Sequence, residues 1–262
     1  MLNKKLAIQF TVLTFCIAYL TAGILIFLGP YGYRVYNWVN SLQQFVMNIP
    51  FAVYIMSPAI ASYIVLRKNN KAANLNEWLK HVFYVKNNGF PYLFVILGLS
   101  IYFSIHLVIT GRTAVLPFYT LFLSLPGNLM IGGLEEAGWM YILQPELDKK
   151  YGYVLSSVYT GLIWMVWHIP LFFIAGTNHG EGLIDWGMFN IQLMSFRFFN
   201  GAIYKISGKS RVFMCVLFHT LFNAASPVWG DMTMTWPGTI AANTALILIA
   251  VITVAIYEKK QI

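Results

Sequence analysis

Residues 131–145 read IGGLEEAGWMYILQP, with two adjacent glutamates, Glu135 and Glu136, between apolar runs. The stretch before them, LPFYTLFLSLPGNLM (116–130), carries no charge. Ionisable side chains in such surroundings are rare, and they usually face the interior of a helical bundle or a wet cavity. This segment therefore predicts a buried helix whose two glutamates face the interior of the bundle or a wet cavity.

The composition extends that prediction to the whole chain. Of its 262 residues, 58% are hydrophobic and 10% are charged, whereas about a quarter of a soluble domain is charged. We expect an all-α, polytopic integral membrane protein with one transmembrane domain over 1–262. The net charge of +8 does not require nucleic acid, because basic residues orient membrane proteins. Cys16 and Cys215 lie in apolar segments and are expected to be unpaired.

Hydropathy predicts about eight transmembrane helices around an intramembrane polar cavity. The first is too long for the apolar part of a signal peptide. The apolar segments fall at 7–28, 43–66, 90–110, 117–145, 153–175, 187–205, 211–227 and 239–257.

The basic residues support this count. With the N-terminus inside, 14 of the 17 basic residues lie in inner segments, as the positive-inside rule expects. Arg34 and Arg112 fall in outer loops, and Arg197 alone falls within a span. The predicted topology is N-in and C-in.

Several spans carry polar side chains at helical spacing. His219 and Asn223 are four residues apart, so they share a helix face. The pairs Trp164–His168 and Glu135–Trp139 have the same spacing. Three helices would thus each present a polar or aromatic pair to one interior point.

Together these side chains suggest a hydrolytic site. A carboxylate in apolar surroundings can serve as a general base, and histidine can orient water or stabilise an oxyanion. Catalytic zinc sites often take two histidines and one glutamate, so Glu135, His168 and His219 are also candidate zinc ligands. Glutamate-type and metal-dependent hydrolysis both stay open.

Three motifs occur in order on separate predicted spans: EEAGWM (135–140), WMVWH (164–168) and HTLFN (219–223). They resemble the motifs of the CPBP family (also called Abi or type II CAAX proteases), which are intramembrane endopeptidases. The resemblance covers roughly 50–257, with a catalytic-type core at about 117–227.

The resemblance implies a role for each matching residue. Glu135 would activate the attacking water with help from His168. His219 and Asn223 would stabilise the oxyanion, and Glu136 would support the site.

One position departs from the family pattern. The family has an arginine four residues after the second glutamate, where this chain has Met140. A buried carboxylate without a partner is unfavourable, so we hypothesise that Arg197 reaches Glu136 and replaces that arginine. Two alternatives stay open: Arg197 extends towards an interface, or the site is degraded and the protein is a pseudo-enzyme.

The predicted function is endopeptidase action on hydrophobic or membrane-associated peptides in a bacterial cell membrane. Bacteriocin or peptide processing, or self-immunity, is implied by resemblance alone. A scaffold on the same fold is one alternative. A proton-coupled transporter is another, although the chain has no inverted repeat with paired broken helices.

Overall fold

The computed structural model describes residues 2–37, 39–86, 88–111, 116–229 and 234–260, and every regular element in these ranges is helical. Arg112, predicted in an outer loop, lies outside the described residues. Helix α1 (Lys4–Leu28) begins at Asn3, whose side chain accepts the Leu6 amide. Helices α2 (Leu42–Ile55) and α3 (Ser57–Lys68) meet at a bend of 56°.

A short amphipathic helix follows the predicted second span. This helix, α4 (Leu75–Val82), buries Trp78, whose indole donates to Ser62 Oγ at 3.2 Å. Helix α5 (Gly89–Thr110) is long and apolar. Helix α6 (Tyr119–Met130) buries none of its residues.

The glutamate segment is broken into short pieces. After α6 come a 3₁₀ turn (Gly133–Glu135), a short α7 (Glu136–Gly138) and a π-helical stretch (Trp139–Leu143). The predicted span over 117–145 is therefore several short helical pieces and not one continuous helix. The break falls at Gly132, whose φ of +123° is a conformation that L-residues rarely adopt.

The second half of the chain contains four long helical elements. Helix α8 (Gln144–His168) contains a non-helical Gly152 and ends in a 3₁₀ turn over Ile169–Phe173. Then follow α9, α10 and α11, which span Trp186–Ile206, Arg211–Trp229 and Trp236–Lys259.

Helix α9 is central to the bundle. It packs against α8, α10 and α11, and most of its second half is buried. By contrast, large apolar side chains cover the outside of the protein: Val108, Leu42 and Leu20 are 85%, 78% and 70% exposed. An apolar exterior around a partly polar centre suits a bilayer.

By length and composition, five of the described helices can cross a membrane, or six if the bent pair α2–α3 is one span. The all-α, multi-pass architecture predicted from the sequence is confirmed. The number of candidate spans is lower than the predicted eight for two reasons. Residues 119–173 count as one 55-residue stretch, and α9 is not counted. Eight spans with N-in, C-in orientation stay a prediction.

Candidate active site

Trp164 lies at the centre of the predicted site. Its indole nitrogen donates a hydrogen bond to Glu135 Oε2 at 2.9 Å. Its ring also meets the rings of His168 and His219 edge-to-face, with centroids 4.8 and 5.7 Å apart. Residues from the glutamate segment, α8 and α10 are thus brought together around one indole.

The two adjacent glutamates have different surroundings. Glu135, 3% exposed, accepts the Trp164 indole. Glu136 is fully buried and accepts two hydrogen bonds from Arg197, Nη1 to Oε2 at 2.8 Å and Nη2 to Oε1 at 2.5 Å. His219 Nδ1 lies 2.9 Å from the same Oε1. Glu136 is therefore held by ionic and hydrogen bonds, whereas Glu135 has a neutral donor.

The hypothesis that Arg197 reaches Glu136 is confirmed. Arg197 is fully buried, so the alternative that it extends to an interface is wrong. The family's arginine position holds Met140, which is also fully buried.

A backbone contact fixes the tautomer of His168. Its Nδ1 lies 2.9 Å from the Trp164 carbonyl oxygen, which can only accept, so Nδ1 carries a proton and donates. In the neutral ring, Nε2 is then an acceptor. The ring is held edge-to-face by Trp167 and Phe189, with centroids 4.6 and 5.1 Å away.

His219 and Asn223 direct nitrogen atoms at the same point beside Gly132. A Cβ on Gly132 would lie 2.3 Å from Asn223 Nδ2 and 3.2 Å from His219 Nε2. Asn223 Nδ2 also donates to the Ile131 carbonyl at 3.3 Å. One turn of α10 thus presents an imidazole and an amide to one small space.

Comparison with known proteins agrees with this geometry. The family model described as "Type II CAAX prenyl endopeptidase Rce1-like" matches residues 117–225, which contain all three motifs. The chain is similar to this family over those residues. One curated relative, "CAAX prenyl protease 2" of Methanococcus maripaludis, is 22% identical over 222 residues, covering 79% of this chain and 80% of the relative. With its apolar helices, the protein is a multi-pass integral membrane protein.

The sequence reasoning assigned no role to the two glycines before the glutamates. Gly132 leaves the space beside Asn223. A Cβ on Gly133 would lie 2.1 Å from Thr220 Oγ1, so Gly133 lets the glutamate segment approach α10. The adjacent pair IGGLEE was the available signal.

Trp139 lies elsewhere than predicted. Its ring meets Phe10 and Trp167 edge-to-face, with centroids 5.5 and 6.0 Å apart. Glu135 is in a 3₁₀ turn and Trp139 is in the π-helical stretch, so the two do not share a regular α-helical face. Trp139 packs behind the site through Trp167.

Zinc binding by Glu135, His168 and His219 stays a prediction. Nδ1 of His168 faces a carbonyl and Nδ1 of His219 faces Glu136, so only Nε2 of each ring could be a metal ligand. Across the described ranges, no group of three or more His, Cys, Asp or Glu residues is placed to hold a metal ion. No step proposed below passes through a metal, and zinc stays a prediction for a chelator to test.

Proposed function

We propose that this protein is an intramembrane endopeptidase of the CPBP type, acting on hydrophobic or membrane-associated peptides. The observation that carries the proposal is the meeting of Glu135, His168 and His219 around Trp164. A carboxylate, an imidazole acceptor and a pair of nitrogen donors are the groups that peptide-bond hydrolysis by water needs.

In this proposal Glu135 and His168 hold the attacking water. The Trp164 indole binds Oε2 of Glu135, and we assign the other carboxylate oxygen, Oε1, to the water. His168 Nε2 accepts the second water proton as a hydrogen bond. Glu135 takes a proton as the water oxygen attacks the carbonyl carbon, and later gives it to the leaving amine as the C–N bond breaks.

His219 and Asn223 would stabilise the oxyanion formed by that attack. Asn223 donates from Nδ2. His219 donates from Nε2 only if it carries both ring protons, because its Nδ1 faces the Glu136 carboxylate. An imidazolium between a carboxylate and a developing oxyanion is a favourable arrangement of charge.

The surface next to the site suggests the substrate class. Asn223 is partly exposed, and Ile131 and Met130 beside it are 37% and 43% exposed. Leu123 and Phe122 on α6 are 69% and 58% exposed. A chain that reaches Asn223 over this surface meets apolar side chains, which favours hydrophobic peptides.

The test is a proteolysis assay in liposomes with a library of hydrophobic peptides, including arms with and without a prenylated cysteine. We expect Glu135→Gln to lower kcat about 10²–10⁴-fold, the usual contribution of a general base. His219→Ala should lower kcat about 10²–10³-fold. Glu77→Gln, at a partly exposed glutamate on α4, is the matched control and should leave kcat unchanged.

Each result of this assay discriminates between functions. Full activity in Glu135→Gln contradicts the proposed chemistry. The scaffold alternative is favoured if no peptide is cleaved and Glu135→Gln still binds the same partner as the unmodified protein. A chelator that abolishes cleavage, with recovery on adding zinc, would favour the metal-dependent mechanism.

A further inference from the structure

Arg197 contacts both halves of the candidate site. On one side its guanidinium makes the two hydrogen bonds to Glu136. On the other side, its guanidinium carbon lies 3.8 Å from the centroid of the Trp164 ring. A planar guanidinium can pair with a carboxylate and stack on an aromatic ring, whereas an ammonium cannot do both in this way.

Glu136 links Arg197 to His219. Oε1 of Glu136 receives Arg197 Nη2 and also faces His219 Nδ1. Because Arg197 fixes the carboxylate plane, it also fixes where the imidazole ring points. Nε2 on the opposite edge of that ring is the atom that approaches Gly132.

Trp164 links Arg197 to Glu135. A cation over the face of an indole holds the ring in place, and the N–H at the edge of that indole donates to Glu135 Oε2. Arg197 therefore touches one neighbour of each proposed catalytic group and touches neither group itself.

The charges are also consistent with this role. With both glutamates ionised and His219 doubly protonated, Arg197 brings the buried set to a net charge of zero. A buried set with an unpaired charge would be strongly unfavourable in an apolar bundle.

We infer that Arg197 is a positioning residue for the reaction proposed above: it orients His219 through Glu136 and Glu135 through Trp164. The inference rests on the proposed function. Another cation at this position would not fulfil the role, because the shape of the guanidinium is required as well as its charge.

The experiment compares Arg197→Met, Arg197→Lys and Arg197→Met with Met140→Arg in the same liposome assay. Small misplacements of catalytic groups can cost about 10²-fold in rate. We expect Arg197→Met to lower kcat about 100-fold with KM nearly unchanged. Arg197→Lys should recover only part of the loss. An arginine at 140, four residues after Glu136 in the chain as in the family motif, should restore kcat to within about tenfold of the unmodified protein.

A matched control and a second readout separate positioning from folding. Arg211→Met removes an exposed arginine that also lies over an aromatic ring, Tyr204 at 4.9 Å, and should leave kcat unchanged. Because the chain has five histidines, NMR of ¹⁵N-histidine-labelled protein can follow the His219 ring, assigned with His219→Ala. Arg197→Met should shift that signal, whether or not a cleavable peptide has been found.

A neutral double variant keeps the inference testable if Arg197→Met does not fold. Arg197→Met with Glu136→Gln removes both buried charges. A purely structural role predicts full kcat in this variant, and that result would overturn the inference. An unchanged His219 signal in Arg197→Met would overturn it too. Lack of cleavage by the unmodified protein would instead count against the proposed function.

Discussion

At the scale of single residues, Gly132 leaves open the space beside Asn223 and His219, where the proposed oxyanion would lie. Its φ is +123°, and a methyl group there would lie 2.3 Å from Asn223 Nδ2. Any side chain must therefore push the amide away from its position.

We predict that Gly132→Ala lowers kcat about 10²–10³-fold, comparable to loss of one oxyanion donor. Backbone strain of about 1–3 kcal/mol should lower the melting temperature as well. Gly127→Ala is the matched control on α6, since a Cβ there meets nothing within 4 Å. Assays of peptide cleavage and of thermal unfolding measure both effects.

Asn223→Ala distinguishes displacement of the amide from strain alone. If Gly132→Ala acts by displacing Asn223, the two substitutions should be strongly non-additive in kcat. Additive losses would show that Gly132 acts independently of the amide.

Single residues also show what sequence could and could not predict about the site. Arg197 and Glu136 were predictable partners, because a lone cation and an unpaired carboxylate within spans need each other. The central place of Trp164 was not predictable. Its spacing to His168 gives a shared helix face, but the indole bond to Glu135 depends on how α8 packs against another element.

At the scale of elements, the glutamate segment is shaped by close approach to α3. A Cβ on Gly138 would lie 2.5 Å from the Pro58 carbonyl oxygen and 2.7 Å from its carbonyl carbon. These are backbone atoms of α3, so they cannot rotate away as a side chain can. The helices would have to separate.

We predict that Gly138→Ala destabilises the protein by about 1–3 kcal/mol, as overpacking usually does. The expected measurement is a lower midpoint of thermal unfolding in detergent, with lower activity because Glu135 and Glu136 precede Gly138. Gly23→Ala on α1, where a Cβ meets nothing within 4 Å, should not lower the midpoint. Equal midpoints for the two variants would contradict the prediction.

Element positions were largely predictable from hydropathy, but backbone geometry was not. The apolar runs at 7–28 and 90–110 correspond closely to α1 and α5. The apolar run at 117–145 contains a break at Gly132 and a π-helical stretch after Gly138, and hydropathy predicted neither. Hydropathy reports which residues avoid water, and it carries no information on which backbone hydrogen bonds they form.

At the scale of the whole molecule, contacts join chain segments that were predicted to share a membrane face. Lys205 Nζ lies 2.8 Å from Asp148 Oδ2 and 3.2 Å from Glu258 Oε1. The Asn3 amide donates to Glu146 at 2.9 Å. These residues come from four segments that the eight-span topology places inside.

The opposite end shows a matching set of contacts. Arg34 and Glu181 form an ion pair at 3.5 Å, and the Val35 amide donates to the Ala175 carbonyl at 2.9 Å. Both segments were predicted outside. The contacts therefore join segments that the eight-span topology places on the same side of the membrane.

We predict that cysteines at the two faces react differently with a membrane-impermeant maleimide in intact cells. The background variant has Cys16 and Cys215 replaced by alanine. Leu183→Cys, 64% exposed between α8 and α9, should be labelled in intact cells. Lys71→Cys and Lys260→Cys, exposed at the other face, should be labelled only after permeabilisation. This expectation follows from the positive-inside rule, because 14 of the 17 basic residues lie in the predicted inner segments. Reversed labelling would overturn the N-in orientation. Identical labelling of Leu183→Cys and Lys71→Cys would mean that an even number of crossings separates them, which would overturn the eight-span count itself.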